Sequence, residues 1–146
     1  MNEDKNALAI ALFTEIMATD QLVRARLSRV LPKGMEISHF SVLNHLAWVA
    51  DERTPAQLAE TFHVTRGAMT NTLGKLEWAG YVHIRPDWDD ARRKFVAISP
   101  AGQQARNYAV GSVTPVINQM VDKMGAEQVR GALPILRELR MQLGED

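Results

Sequence analysis

Apolar residues recur at Leu8, Leu12, Ile16, Val23, Leu27 and Val30, separated by four, four, seven, four and three positions. This is one stripe on one long helix over residues 5–31, stopped by Pro32 and Gly34. At a rise of 1.5 Å per residue, about 26 residues extend roughly 39 Å. A small core cannot cover that length, so part of the stripe is expected to meet another subunit. A second helix starts at Ser38, carries Phe40, Val42, Leu43, Leu46, Ala47 and Val49 on its apolar side, and ends near Asp51. Thr54-Pro55-Ala56-Gln57 opens a short third helix, with Thr54 as cap, Pro55 at the first helical position and Gln57 completing a capping box. It runs to about Phe62, and His63-Val64 makes the turn. Thr65 then caps a fourth helix over residues 66–79, which buries Met69, Leu73 and Leu76. Gly80 ends it as a left-handed cap.

The period then changes from helical to two. Val82 to Arg85 and Lys94 to Ser99 alternate apolar and polar positions around a polar tip with Asp87, Asp89, Asp90, Arg92 and Arg93, which predicts a β-hairpin. Ser99-Pro100 repeats the cap-then-proline signal and starts a fifth helix through Ala105, Tyr108, Val116, Met120 and Met124, bending at Pro115. A last helix begins near Ala126 with Val129, Leu133, Leu136, Leu139 and Leu143, and Pro134 kinks it or marks its true start. The predicted fold is mainly α with a small β-hairpin wing (α+β). A winged helix-turn-helix over 38–100 is the DNA-binding region, and the helices of 1–37 and 101–146 form a dimerisation region.

Candidate chemistry follows from this order. The exposed side of the fourth helix carries Arg66, Gly67, Thr70, Asn71, Gly74 and Lys75 behind the cap Thr65. Short hydrogen-bonding side chains, cations and glycines let a helix approach a groove floor closely. Each glycine costs about 1 kcal/mol of helix stability relative to alanine, which close approach would offset. The wing supplies Arg85, Asp90, Arg92, Arg93 and Lys94. The ordinary alternative for both surfaces is a solvated polar face.

Lysine plus arginine equals aspartate plus glutamate at 17 each, so the net charge is zero. Distribution matters more than the sum: Arg24, Arg26, Arg29 and Lys33 cluster without an acid, while Glu3, Asp4, Glu145 and Asp146 lie at the chain ends. Non-specific attraction to a polyanion is therefore weak, and base and groove contacts must carry more of the discrimination. The 146 residues hold no cysteine, which removes thiol catalysis, thiolate metal sites and disulfides. With Met1–Asn6 polar and acidic and no apolar run of membrane-spanning length, the expectation is a cytoplasmic protein with no membrane partner.

Over nearly the whole chain, in the order long first helix, helix-turn-helix, wing and two closing helices, the sequence resembles the MarR (multiple-antibiotic-resistance regulator) family of dimeric winged-helix transcription factors. The most specific match is Asp90-Ala91-Arg92, followed by Lys94, Val96, Ile98, Ser99 and Gly102. Ile98-Ser99 stands where the family pattern has Leu-Thr. Leu58-Ala59 through Leu73, Leu76, Glu77 and Gly80 is similar to the family's recognition segment, though many helix-turn-helix groups share it. The resemblance implies that Arg92 enters the minor groove and that Asp90 holds it there. It further implies a homodimer acting as a repressor on a pseudo-palindromic operator in double-stranded DNA. A small aromatic or phenolic effector is also implied, with Phe13, Met17, Met35, His39, Phe40 and Trp48 as candidate pocket residues. Trp88 is not part of the family pattern and is expected to pack on the hairpin stem. Trp78 is expected to pack at the helix end.

Two other readings stay open. One is a winged helix that contacts protein and not DNA, which the zero net charge favours. The other is a metal-responsive regulator assembled from some of the four histidines. His39 and His45 are six apart, off the three- or four-residue spacing of a helical metal site, and no metal or cofactor is expected. No phosphate loop, HExxH or nucleophile elbow is present, so an enzyme is not expected.

Overall fold

The computed structural model describes residues 2–49 and 51–144; Glu145 and Asp146, two of the terminal acids, lie outside the described residues. The elements run α1 (Asn2–Val30), α2 (Ile37–Trp48), α3 (Pro55–Thr61), α4 (Arg66–Trp78), β1 (Val82–Pro86), β2 (Lys94–Ile98), α5 (Pro100–Met124) and α6 (Ala126–Leu143). Helices α2, α3 and α4 followed by the antiparallel β1–β2 hairpin make a winged helix-turn-helix, as the periodicity predicts. The chain divides into two compact units, Met1–Ser112 and Val113–Asp146.

The core of the first unit lies inside the winged helix. Val42, Leu43 and Leu46 of α2 meet Leu58 and Ala59 of α3, Met69, Leu73 and Leu76 of α4, and Val82 and Val96 of the hairpin. Burying each leucine contributes on the order of 1.5–3 kcal/mol. The hairpin register pairs Val82 with Ile98 and Ile84 with Val96, which keeps their apolar side chains toward that core. Beyond the hairpin, β2 also bridges to the loop before α3. The Arg53 N–H donates to the Val96 carbonyl at 3.0 Å, and the Val96 N–H donates back at 2.7 Å.

Local chemistry explains most element ends. The α3 capping box is complete: the Gln57 N–H donates to Thr54 Oγ1 at 3.1 Å, and Gln57 Oε1 accepts from the Thr54 N–H at 2.9 Å. Thr65 Oγ1 accepts from the Ala68 N–H at 3.1 Å at the start of α4. Gly80, with φ +81°, ends α4 in the left-handed region. Both ends of α2 differ from expectation. Helix α2 starts at Ile37, because Glu36 is the capping residue and its N–H donates to His39 Nδ1 at 3.0 Å. It ends at Trp48, where Val49 turns to extended backbone.

Ser99 has two partners. Its hydroxyl donates to the Gly80 carbonyl at 2.6 Å and accepts from the Gly102 N–H at 3.0 Å, so it caps α5 and ties it to the end of α4. A Cβ on Gly102 would lie 2.0 Å from the Tyr81 carbonyl oxygen, so only glycine fits there. Arg106 on α5 reaches α2 through Asn44 Oδ1, from Nε at 3.0 Å and Nη2 at 2.9 Å.

Helix α1 buries little of its stripe. Ile16, Leu27 and Val30 are half-buried, while Leu8, Leu12 and Val23 are exposed, as are Ile10, Phe13, Met17 and Leu22. In the second unit, α6 has no buried residue and exposes Leu133, Ile135, Leu136, Met141 and Leu143. Gly125, with φ +91°, sets the start of α6, and Pro134 lies inside the helix, so it does not mark the start. No helix of the described residues is long and apolar enough to cross a membrane.

Candidate nucleic-acid interface

The surface of α4 follows from its buried face. Met69, Leu73 and Leu76 are spaced by four and three, which turns Arg66, Thr70, Asn71 and Gly74 outward, and all four are exposed. Thr65 and Gly67 are exposed at the N-terminal end, where a helix meets a groove floor first. A Cβ at Gly67 or Gly74 would have nothing within 4 Å, so neither glycine is required by packing inside the chain. Trp78 falls two residues beyond Leu76 and therefore on the far side. It is 93% exposed and does not pack at the helix end as expected.

The wing tip is built from carboxylates that accept backbone N–H groups. Asp87 Oδ1 accepts from the Asp89 N–H at 2.9 Å, and Asp90 Oδ1 accepts from the Arg92 N–H at 3.1 Å. The same Asp90 oxygen accepts from Arg92 Nε–H at 3.2 Å, so one carboxylate fixes both the turn and the direction of the guanidinium. Arg92 still presents 91% of its side chain to solvent. Arg93 leans the other way, with Nε 3.9 Å from Asp87 and its guanidinium carbon 5.7 Å from the centre of the Phe95 ring. Lys94 is exposed at the start of β2. A groove of about 340 Å³ between α4 and the wing brings Thr70 and Gly74 together with Arg85 and Lys94. This surface therefore joins an adaptable polar helix face to an outward-held arginine.

Residues 33–93 match the MarR family model. The winged helix is similar to that of the MarR family. Solved structures share the fold along most of the chain. A MarR mutant from E. coli complexed with operator DNA is 23% identical with a TM-score of 0.80, covering 90% of this chain and 94% of that one. The regulator BldR from Sulfolobus solfataricus is 26% identical with a TM-score of 0.74, covering 89% and 95%. A MarR family regulator from Streptomyces coelicolor in complex with DNA is 23% identical with a TM-score of 0.80, covering 91% and 86%. No curated protein matches. Members of the MarR family are transcription regulators and not enzymes, in line with the sequence expectation.

Within this MarR-like wing, three features escape sequence reasoning. Arg85 is held by Glu52, a residue of the α2–α3 loop, at 2.7 Å. Trp88 is 79% exposed and does not pack on the hairpin stem. Phe95 occupies the stem under Arg85 instead, with its ring centre 4.9 Å from the guanidinium carbon, against 5.8 Å for the Trp88 ring. Lys75, assigned to the groove-facing surface, lines a separate cavity of about 390 Å³ with Pro32, Lys33, Met35, His39, Trp78 and Tyr81.

Of the six candidate pocket residues, only Met35 and His39 reach that cavity. Phe13, Met17 and Trp48 are exposed elsewhere, and Phe40 is half-buried away from its wall. His39 is buried and its basicity is lowered, first by desolvation and then by Lys75, with Glu36 opposing. Among the described residues no group of three or more His, Asp or Glu side chains is placed to hold a metal ion.

Proposed function

We propose that this chain is a sequence-specific double-stranded-DNA-binding transcriptional regulator acting as a homodimeric repressor on a pseudo-palindromic operator. The observation that carries this reading is Arg92, aimed outward by Asp90 beside an α4 surface of threonine, asparagine, arginine and glycine. Thr65, Arg66, Gly67, Thr70, Asn71 and Gly74 read base edges in the major groove. Arg92 enters the adjacent minor groove, whose negative potential attracts a guanidinium, and Arg93 and Lys94 meet the phosphates. The E. coli and Streptomyces relatives in complex with DNA support the same use of this fold.

A second copy of the chain covers the apolar residues that α1 and α6 expose, so residues 1–37 and 101–146, which flank the winged helix of 38–100 in sequence, form the dimerisation region. Two-fold symmetry then sets two half-sites about one helical turn apart. The cavity walled by Met35, His39, Lys75, Trp78 and Tyr81 suits a small aromatic effector that biases the spacing of the two recognition helices.

The test is selection from a randomised duplex library with the purified protein at about 0.1 M salt, where phosphate contacts are partly screened. A two-fold symmetric site with half-sites about one turn apart is expected. Retention without sequence enrichment would overturn the sequence-specific reading, and no retention at all would leave the winged helix to a protein partner.

A further inference from the structure

We propose that Arg85 is a positioning residue that locks the wing to the α2–α3 loop through Glu52, and is not itself a contact to nucleic acid. The inference rests on the DNA-binding reading above and revises the place of Arg85 within it.

All three guanidinium nitrogens of Arg85 are engaged, although 39% of the side chain still meets solvent. Nε–H donates to the two Glu52 carboxylate oxygens at 3.2 and 3.0 Å, and Nη2–H donates to Oε1 at 2.7 Å. Nη1–H donates to the Pro86 carbonyl at 3.1 Å. The Phe95 ring lies 4.9 Å from the guanidinium carbon, and the largely exposed Trp88 ring lies 5.8 Å from it. The edge formed by Nε and Nη2 is one of the two forks with which arginine grasps a phosphate or a guanine. Here Glu52 already fills it. Arg92 differs, since among the described residues its guanidinium is bonded only to Asp90 of its own turn, and 91% of its side chain meets solvent.

The chain that supplies Glu52 holds the other wing strand as well. Arg53, the next residue, exchanges two backbone hydrogen bonds with Val96 of β2. The α2–α3 loop thus grips β1 through a side chain and β2 through the backbone. Since the same loop leads into α3, this double grip sets the attitude of the wing relative to α4. The groove shared by Thr70, Gly74, Arg85 and Pro86 is the space whose width it controls. A wing held at a fixed angle delivers Arg92 to the minor groove while α4 occupies the major groove.

The test compares wild type, Glu52→Gln, Arg85→Gln, the double variant and Arg92→Ala. Binding to the selected duplex is measured against salt, and amide exchange at Arg53 and Val96 is measured in the DNA-free protein. Glu52→Gln and Arg85→Gln are expected to bind several-fold more weakly with an unchanged salt slope. The double variant should be no weaker than either single one, because both remove the same pair. The Arg53 and Val96 amides should exchange faster in both single variants.

Two binding results would overturn the lock. One is a salt slope reduced by about 0.9 per wing in Arg85→Gln, the signature of a lost phosphate contact. The other is wild-type affinity in Glu52→Gln. If wild type retains no duplex, the DNA-binding reading fails on its own. Exchange at Arg53 and Val96 then decides the lock, and unchanged protection in Glu52→Gln would reject it.

Discussion

At the scale of single residues, Gly102 carries the sharpest steric demand. Its Cα faces the Tyr81 carbonyl so closely that a methyl group would overlap the oxygen. Gly102→Ala is expected to cost about 1–3 kcal/mol or more, as overpacking in a rigid interior does, read as a lower midpoint in urea. His39 makes a different prediction. Its Nδ1 must be unprotonated to accept the Glu36 N–H, and burial followed by Lys75 lowers its folded pKa below 6.5 despite the opposing effect of Glu36. As pH falls below about 6.5 the unfolded chain takes up this proton first. The stability is therefore complete above that pH and is lost as pH falls toward the folded pKa. His39→Gln keeps a side-chain acceptor at that helix position without titrating. Urea midpoints at about pH 7.5 and about pH 5.5 should fall less in the variant than in wild type, and equal falls would refute the assignment. Gly102 and Asp90-Ala91-Arg92 are legible in the sequence through its resemblance to the MarR wing pattern. The grip of Glu52 on Arg85 is not, because the two are 33 positions apart and nothing in the spacing pairs them.

At the scale of elements, the sequence is most informative where side chains satisfy helix ends. The Thr54–Gln57 and Thr65 caps, the left-handed Gly80 and the two alternating strands all appear where their chemistry predicts. The start of α2 is displaced by a residue because Glu36 and His39 make an unusual pairing that standard capping patterns do not anticipate. Thr54→Ala should lose about 0.5–2 kcal/mol of stability by removing the α3 cap, measured by chemical denaturation. For the wing, Arg92→Ala should lose about 1–3 kcal/mol of binding to the selected duplex, measured by titration at fixed salt. Binding equal to wild type would show that the tip does not read the groove. The misplaced tryptophans share one cause: periodicity says which face an indole occupies, while its burial depends on what packs there. Trp78 and Trp88 meet little within the chain.

At the scale of the whole molecule, the exposed apolar side chains of α1 and α6 are the largest departure from a self-contained fold. The long stripe on α1 was legible as more than one chain can cover, and the structure leaves much of it in solvent. Light scattering after size exclusion at micromolar concentration is expected to give twice the 16.3 kDa chain mass, and a stable monomer would refute the dimer. With zero net charge the molecule gains little from bulk attraction to a polyanion, so the shape of its reading surface counts for more. Ser99 bears on that shape. By joining Gly80 to Gly102 through one hydroxyl, it closes the wing into a ring at its base. The conformational entropy of ordering that ring is lost during folding and not on docking. A partner therefore meets a wing whose base is already ordered, and more of the contact energy at its tip remains as affinity.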